Sequence, residues 1–96
     1  METKITVQVD FYATAKSVFG TGSMRVNFSP PATIKKLLNT ICQTSRQKTK
    51  IFHSSGRIQK DILVLRNGRN IIFLNGSDTE LQHEDIIAIF PPVAGG

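Results

Sequence analysis

The chain has 96 residues, 40% hydrophobic and 20% charged, a balance that suits one folded domain and excludes a disordered chain or a pair of domains. Its net charge of +5 raises nucleic acid as a partner, yet five of the twelve basic residues, Arg46, Lys48, Lys50, Arg57 and Lys60, share one polar segment with no run of interleaved aromatic residues, which favours a solvated face or an acidic protein partner. A single cysteine, Cys42, excludes an internal disulfide and a Cys-rich metal site, while the absence of a signal-type core near Met1 or of any long apolar stretch leads us to expect a soluble, cytoplasmic, non-membrane protein.

Ile5, Val7, Val9 and Phe11 alternate with polar residues, the period of a strand with one buried face. A second such run, Met24, Val26 and Phe28, follows a loop with Gly20 and Gly22, so the two predict a hairpin, with Lys16, Val18 and Phe19 extending either strand. Pro30-Pro31 ends the second strand. Ile34, Leu37, Leu38, Ile41 and Cys42 then mark the apolar stripe of a helix with Thr33 as its N-cap, and Cys42, on that stripe, reads as a buried small hydrophobe.

Residues 44–61 read as a polar connection with one short helical turn. Ile62-Leu63-Val64-Leu65 has the two-sided apolar character of a central strand, and Asn67-Gly68 is a tight-turn dipeptide leading to a strand over Ile71-Ile72-Phe73-Leu74. Asp78 or Thr79 is placed to cap a short turn running to Leu81, before a last strand, Ile86 to Phe90. The predicted order is strand, strand, helix, strand, strand, strand, an α+β arrangement. One main helix covers one sheet face, so with Ile87 and Ile89 in the core, Ala88 and Phe90 become an apolar patch suited to a protein partner.

Pro91 and Pro92 have no N–H for a sheet ladder, so the chain should leave the fold as an extended tail over 91–96, from a single domain over 1–90. Gly95 and Gly96 carry no Cβ and could enter a channel too narrow for other residues, leaving the terminal carboxylate unhindered. Taken alone, the two glycines fit a frayed terminus equally well. Neither His53 and His83, which sit thirty residues apart, nor any Gly-rich loop offers a metal or phosphate site.

The stretch Val64-Leu65-Arg66-Asn67-Gly68-Arg69-Asn70-Ile71, then Thr79-Glu80-Leu81 and His83 through to Phe90-Pro91-Pro92-Val93-Ala94-Gly95-Gly96, resembles the MoaD group with its relatives ThiS and the small archaeal modifier proteins. Three features depart from that pattern: the long polar segment 44–61, the absence of an acidic residue in the helix's first turn, and Ala94 where many relatives carry a hydroxyl. The resemblance implies a ubiquitin-like β-grasp: a mixed sheet of about five strands with one main helix on one face. It also implies a carrier rather than an enzyme, a monomer when free, with no stably bound cofactor. The Gly96 carboxylate would be adenylated, with ATP and magnesium, by a ubiquitin-activating-type enzyme and converted to a thiocarboxylate, whose sulfur the large subunit of molybdopterin synthase would use in molybdenum cofactor biosynthesis. In the modifier branch of the same group, Gly96 would instead be joined to lysines of target proteins; an inert β-grasp binding module is the third reading. By matched position, Gly95, Ala94, Val93, Pro92, Pro91, Phe90 and Ala88 would form the partner-binding surface, which Ile71 and Phe73 on the neighbouring strand would extend.

Overall fold

A computed structural model describes residues 4–91. β1 (Ile5–Phe11) buries every second side chain, Ile5, Val7, Val9 and Phe11, and pairs antiparallel with β2 (Ser23–Phe28), Val7 opposite Val26. The hairpin is as expected, but its connection is not. α1 (Ala15–Phe19) stands where we expected strand extensions, closed by Gly20 at φ 74°, whose N–H donates to the Lys16 carbonyl at 2.8 Å. Glycine reaches that left-handed conformation without steric cost, which stops the helix after one turn. Phe19 folds back from α1 so that its ring stacks on Phe11, centroids 4.5 Å apart.

α2 (Ile34–Ile41) starts at Thr33, whose hydroxyl accepts the Lys36 N–H, and presses Ile34, Leu37, Leu38 and Ile41 into the core. The expected cap and stripe are both present. Cys42 continues that buried face, and burial, opposed by Lys48, pushes its thiol up to about 11.

The polar connection holds a full helix rather than one turn. Over α3 (Ser45–Ile51), Thr44 accepts the Gln47 N–H while Gln47 Oε1 accepts the Thr44 N–H, a reciprocal cap that satisfies two free donors of the first turn. Gln47 also donates to the Val18 carbonyl, tying α3 to α1. Phe52 and Ile58 then bridge across a turn containing Gly56.

β3 (Leu63–Arg66) buries Val64 but leaves Leu63 37% exposed, so its two-sided apolar run does not mean two buried faces. Asn67 and Gly68, at φ 50° and 83°, make the tight turn to β4, which is only Arg69–Asn70. The strand expected over Ile71–Leu74 is instead a 3₁₀ turn, Ile71–Phe73. Asn70 Oδ1 accepts the Ile72 N–H there, bending the chain so that Ile71 enters the core while Ile72 and Phe73 face solvent. A second 3₁₀ turn, Gly76–Asp78, comes earlier than expected and Thr79 closes it rather than capping it, its hydroxyl accepting the Asn75 N–H.

β5 (Ile86–Phe90) occupies the centre of the sheet, in the order β2-β1-β5-β3-β4, parallel to β1 and antiparallel to β3. A parallel neighbour requires a long crossover, and here nearly the whole middle of the chain supplies it. The helices and the core, including the fully buried Ile87 and Ile89, lie on one face of this mixed five-stranded sheet.

Candidate functional site

Strand alternation decides what β5 offers outward. With Ile87 and Ile89 turned to the core, Ile86, Ala88 and Phe90 face the other way. Ala88 sits opposite Asp10 on β1 and Leu65 on β3, and Phe90 opposite Leu63. The Phe90 ring also stacks on Tyr12, centroids 4.4 Å apart and planes 8° from parallel. The Tyr12 N–H donates to the Ile89 carbonyl, fixing the residue after β1 beside the end of β5. Phe90 and Ala88 are therefore half-buried within an apolar area whose outermost members are Tyr12, Leu63 and Ile86, exposed by 40%, 37% and 45%. Ile86 shares the outward face of β5 by strand alternation, whereas Tyr12 and Leu63 were missed by sequence reasoning. Their signal is the register of β5 against β1 and β3, which no local pattern carries.

Ile71 and Phe73 do not extend this area as a strand pair. Ile71 is a core residue, and Phe73, 80% exposed, stands on the 3₁₀ turn beside Arg66, Thr79 and Gln82. Pro91 follows Phe90 directly and lines a groove of about 610 Å³ between α1 and α3, with Phe19, Ile51 and Ile62 among its walls. Pro92, Val93, Ala94, Gly95 and Gly96 lie outside the described residues.

The other end of β5 is locked. Buried Asp85 accepts from Arg66 Nε at 2.7 Å, from Arg66 Nη2 at 3.3 Å, from Asn67 Nδ2 at 2.9 Å and from the Gln82 N–H at 2.7 Å. Burial opposes its charge, but the bonds from Arg66, Gln82 and Asn67 outweigh it and hold the carboxyl below the ordinary carboxylate value. Asn67 also accepts the Ile86 N–H through Oδ1 at 2.8 Å, so the β3–β4 turn and the first residue of β5 form one unit. Charge-assisted bonds of this kind are short and directional, and they set the register that brings Phe90 to Tyr12 and Leu63.

His83 and Glu84, beside Asp85, are occupied locally: His83 Nδ1 accepts the Thr6 N–H, and Glu84 pairs with Arg25 at 3.1 Å. Among the described residues, no group of three or more His, Cys, Asp or Glu side chains is placed to hold a metal ion, and no helix is long and apolar enough to cross a membrane. The described residues build a platform at the root of the C-terminal segment.

The comparisons with known proteins agree with the fold. The small archaeal modifier protein 3 of Haloferax volcanii is 30% identical over 90 residues, covering 94% of this chain and 98% of its own. A provisionally named sulfur carrier protein of Archaeoglobus fulgidus is 34% identical over 65 residues, 67% of this chain and 74% of its own. The solution structure of small archaeal modifier protein 1 from Methanosarcina acetivorans superposes with a TM-score of 0.80 at 26% identity, covering 98% of this chain and 99% of that one. The ThiS family model matches residues 9–96. With its mixed five-stranded sheet, its covering helices and a match that spans nearly all its length, the chain belongs to the ThiS family of ubiquitin-like β-grasp sulfur carriers and modifiers.

Proposed function

We propose that this protein carries sulfur on the carboxyl group of Gly96, as the small subunit of a molybdopterin synthase. The observation that carries the reading is the end of β5: a central strand delivers Phe90, stacked on Tyr12, to an apolar area immediately before Pro91, giving an enzyme a rigid surface to grip next to the segment it modifies. A carboxylate is a poor electrophile. In the proposed sequence, a ubiquitin-activating-type partner lets the Gly96 carboxylate attack the α-phosphate of magnesium-bound ATP, releasing pyrophosphate and forming an acyl-adenylate. The terminal sulfur of a donor protein's persulfide then displaces AMP to give an acyl disulfide, and a thiol cleaves its S–S bond, leaving the thiocarboxylate on Gly96 and a disulfide between that thiol and the donor's cysteine. The large subunit of the synthase consumes it, inserting sulfur into the pterin precursor and returning the carboxylate. The chain itself contributes recognition and a bare backbone. Gly95 and Gly96 offer no Cβ to a narrow channel, and Phe90, Ala88 and Pro91 dock beside it.

Intact-mass measurement tests this. Incubation with the activating enzyme, ATP and a sulfur donor should replace one oxygen by sulfur at Gly96, and an unchanged mass overturns the carrier reading. A second reading, conjugation of Gly96 to lysine amines of target proteins, is favoured by the relative named as a modifier. It predicts lysine-linked products that vanish when Gly95 and Gly96 are deleted. Because no Lys or Arg follows Arg69, trypsin would leave residues 70–96 on the target, and the search must allow for that long remnant.

A further inference from the structure

We propose that the pocket between the Phe52–Ile58 turn and the β3–β4 edge is a docking site for a short acidic peptide segment carrying one large apolar side chain. The pocket holds about 480 Å³, within the range of sites that accept small ligands or side-chain anchors, and is partly open. Its apolar lining comes from Phe52, Ile58, Ile62, Val64, Ile71 and Ile72. Ile72 is the unusual member: the Asn70 cap that sends Ile71 inward turns Ile72 out, leaving it 74% exposed at the pocket wall. An exposed isoleucine against half-buried Ile58 and Ile62 is apolar surface that an entering side chain would cover.

The rim selects the partner's charge. Lys35, Arg57 and Lys60 line the same pocket and are exposed. Among the described residues, none of the three is paired with a carboxylate. They belong to the strongest charge asymmetry in the chain, residues 11–60, which hold nine of the twelve basic residues and none of the seven acidic ones. Apolar walls under a one-signed rim match a segment with the opposite signs, an apolar anchor flanked by Asp or Glu, and the charges would raise its rate of encounter. Nucleic acid fits less well, because Phe52 is the pocket's one aromatic residue and is half-buried, which leaves no platform for stacked bases.

The pocket also lies apart from the Phe90 area. Val64, in its wall, points to the core side of β3, whereas Leu63 and Leu65 point to the outer face. An acidic partner seated here would leave Tyr12 and Phe90 uncovered, so both surfaces could be occupied together. Occupancy of this pocket is independent of what happens at Gly96.

The experiment is a titration of the isotopically labelled full chain, followed by amide shifts, with a synthetic peptide of Asp and Glu around a single Phe. A counterpart with Lys in place of each acidic residue, and a single-stranded oligonucleotide, are titrated in parallel. Shifts should centre on Phe52, Ile58 and Ile72, and the affinity should fall as salt rises. Ile72→Asp and the pair Arg57→Glu with Lys60→Glu should each weaken the acidic peptide by about tenfold or more. The charge-reversed pair should gain affinity for the lysine peptide, and Phe90→Ala should change neither. All the altered positions in the rim are exposed, and melting curves verify that the variants remain folded. No binding of the acidic peptide, equal binding of the lysine peptide by the unaltered chain, tighter binding of the oligonucleotide, or shifts centred on Tyr12 and Phe90 would each overturn the proposal.

Discussion

Asp85 shows how one side chain can set the position of a strand. Its two oxygens take four hydrogen bonds from Arg66, Asn67 and Gln82, and removing it would leave a partly buried guanidinium and a backbone N–H without partners. Asp85→Ala should therefore cost about 3 kcal/mol in a denaturant titration, within the range for breaking a buried pair from one side. The pH dependence has a definite sign. Because the folded carboxyl titrates below its ordinary value of 3.8, the stabilisation it provides is fully present above that value and is lost as the pH falls through the lower folded value. Melting curves from pH 7 to pH 3 should show the loss at the acid end, and Asp85→Asn should flatten it. At the other end of β5, Phe90 is half-buried against Tyr12, so Phe90→Ala should lower stability modestly. It should weaken binding of an activating partner by about 1–3 kcal/mol, as measured by calorimetry, if that area is the docking surface. Cys42 illustrates a residue whose role was legible from position alone. It completes the apolar stripe of α2, is buried, and with its thiol pushed up to about 11 is protonated at neutral pH, so a thiol reagent should react with it slowly unless the chain is unfolded.

Among the elements, those with a period were readable and those built on single polar side chains were not. β1, β2, β5 and α2 announce themselves because their core-facing apolar residues, half-buried in much of β2, recur every two or every three to four positions. α3 lacks such a stripe, burying Ile51 alone, yet its start was written in Thr44-Ser45-Arg46-Gln47, the spacing of a reciprocal cap. Thr44→Ala should lower stability by about 1 kcal/mol, visible as a shift in melting temperature without loss of the sheet signal. α1 is too short for periodicity to reveal, and what defines it is Gly20 in the left-handed region. A Cβ there meets no atom within 4 Å, so Gly20→Ala should cost about 1 kcal/mol through backbone strain alone. The misjudged strand over Ile71–Leu74 has a similar origin: an unbroken apolar run is compatible with a strand, and only Asn70, accepting the Ile72 N–H, turns it into a 3₁₀ bend. That bend removed Ile71 from the expected partner surface and placed Ile72 on a different one.

At the scale of the whole molecule, local patterns name the pieces without arranging them. The strand order β2-β1-β5-β3-β4 depends on pairing across long separations, such as Val9 with Ile87, and resemblance to a known family supplied only the mixed five-stranded sheet in advance. The candidate site divides in the same way. Phe90 and Ala88 were legible from strand alternation, whereas Tyr12 and Leu63 join them through register, a property of the assembled sheet. The arrangement also bears on how the chain comes into being. Synthesis runs from the amino end, so β1 is made early and must wait with one edge open until Ile86–Phe90 has emerged, because the strand that belongs beside it is the fifth made. Any chain that stops or is clipped before that point loses the wedge that closes the sheet and, with it, the aromatic grip beside Pro91. A partner that recognises Phe90 on Tyr12 thereby reads a certificate of completed folding, and unfinished copies are turned away without a separate inspection step.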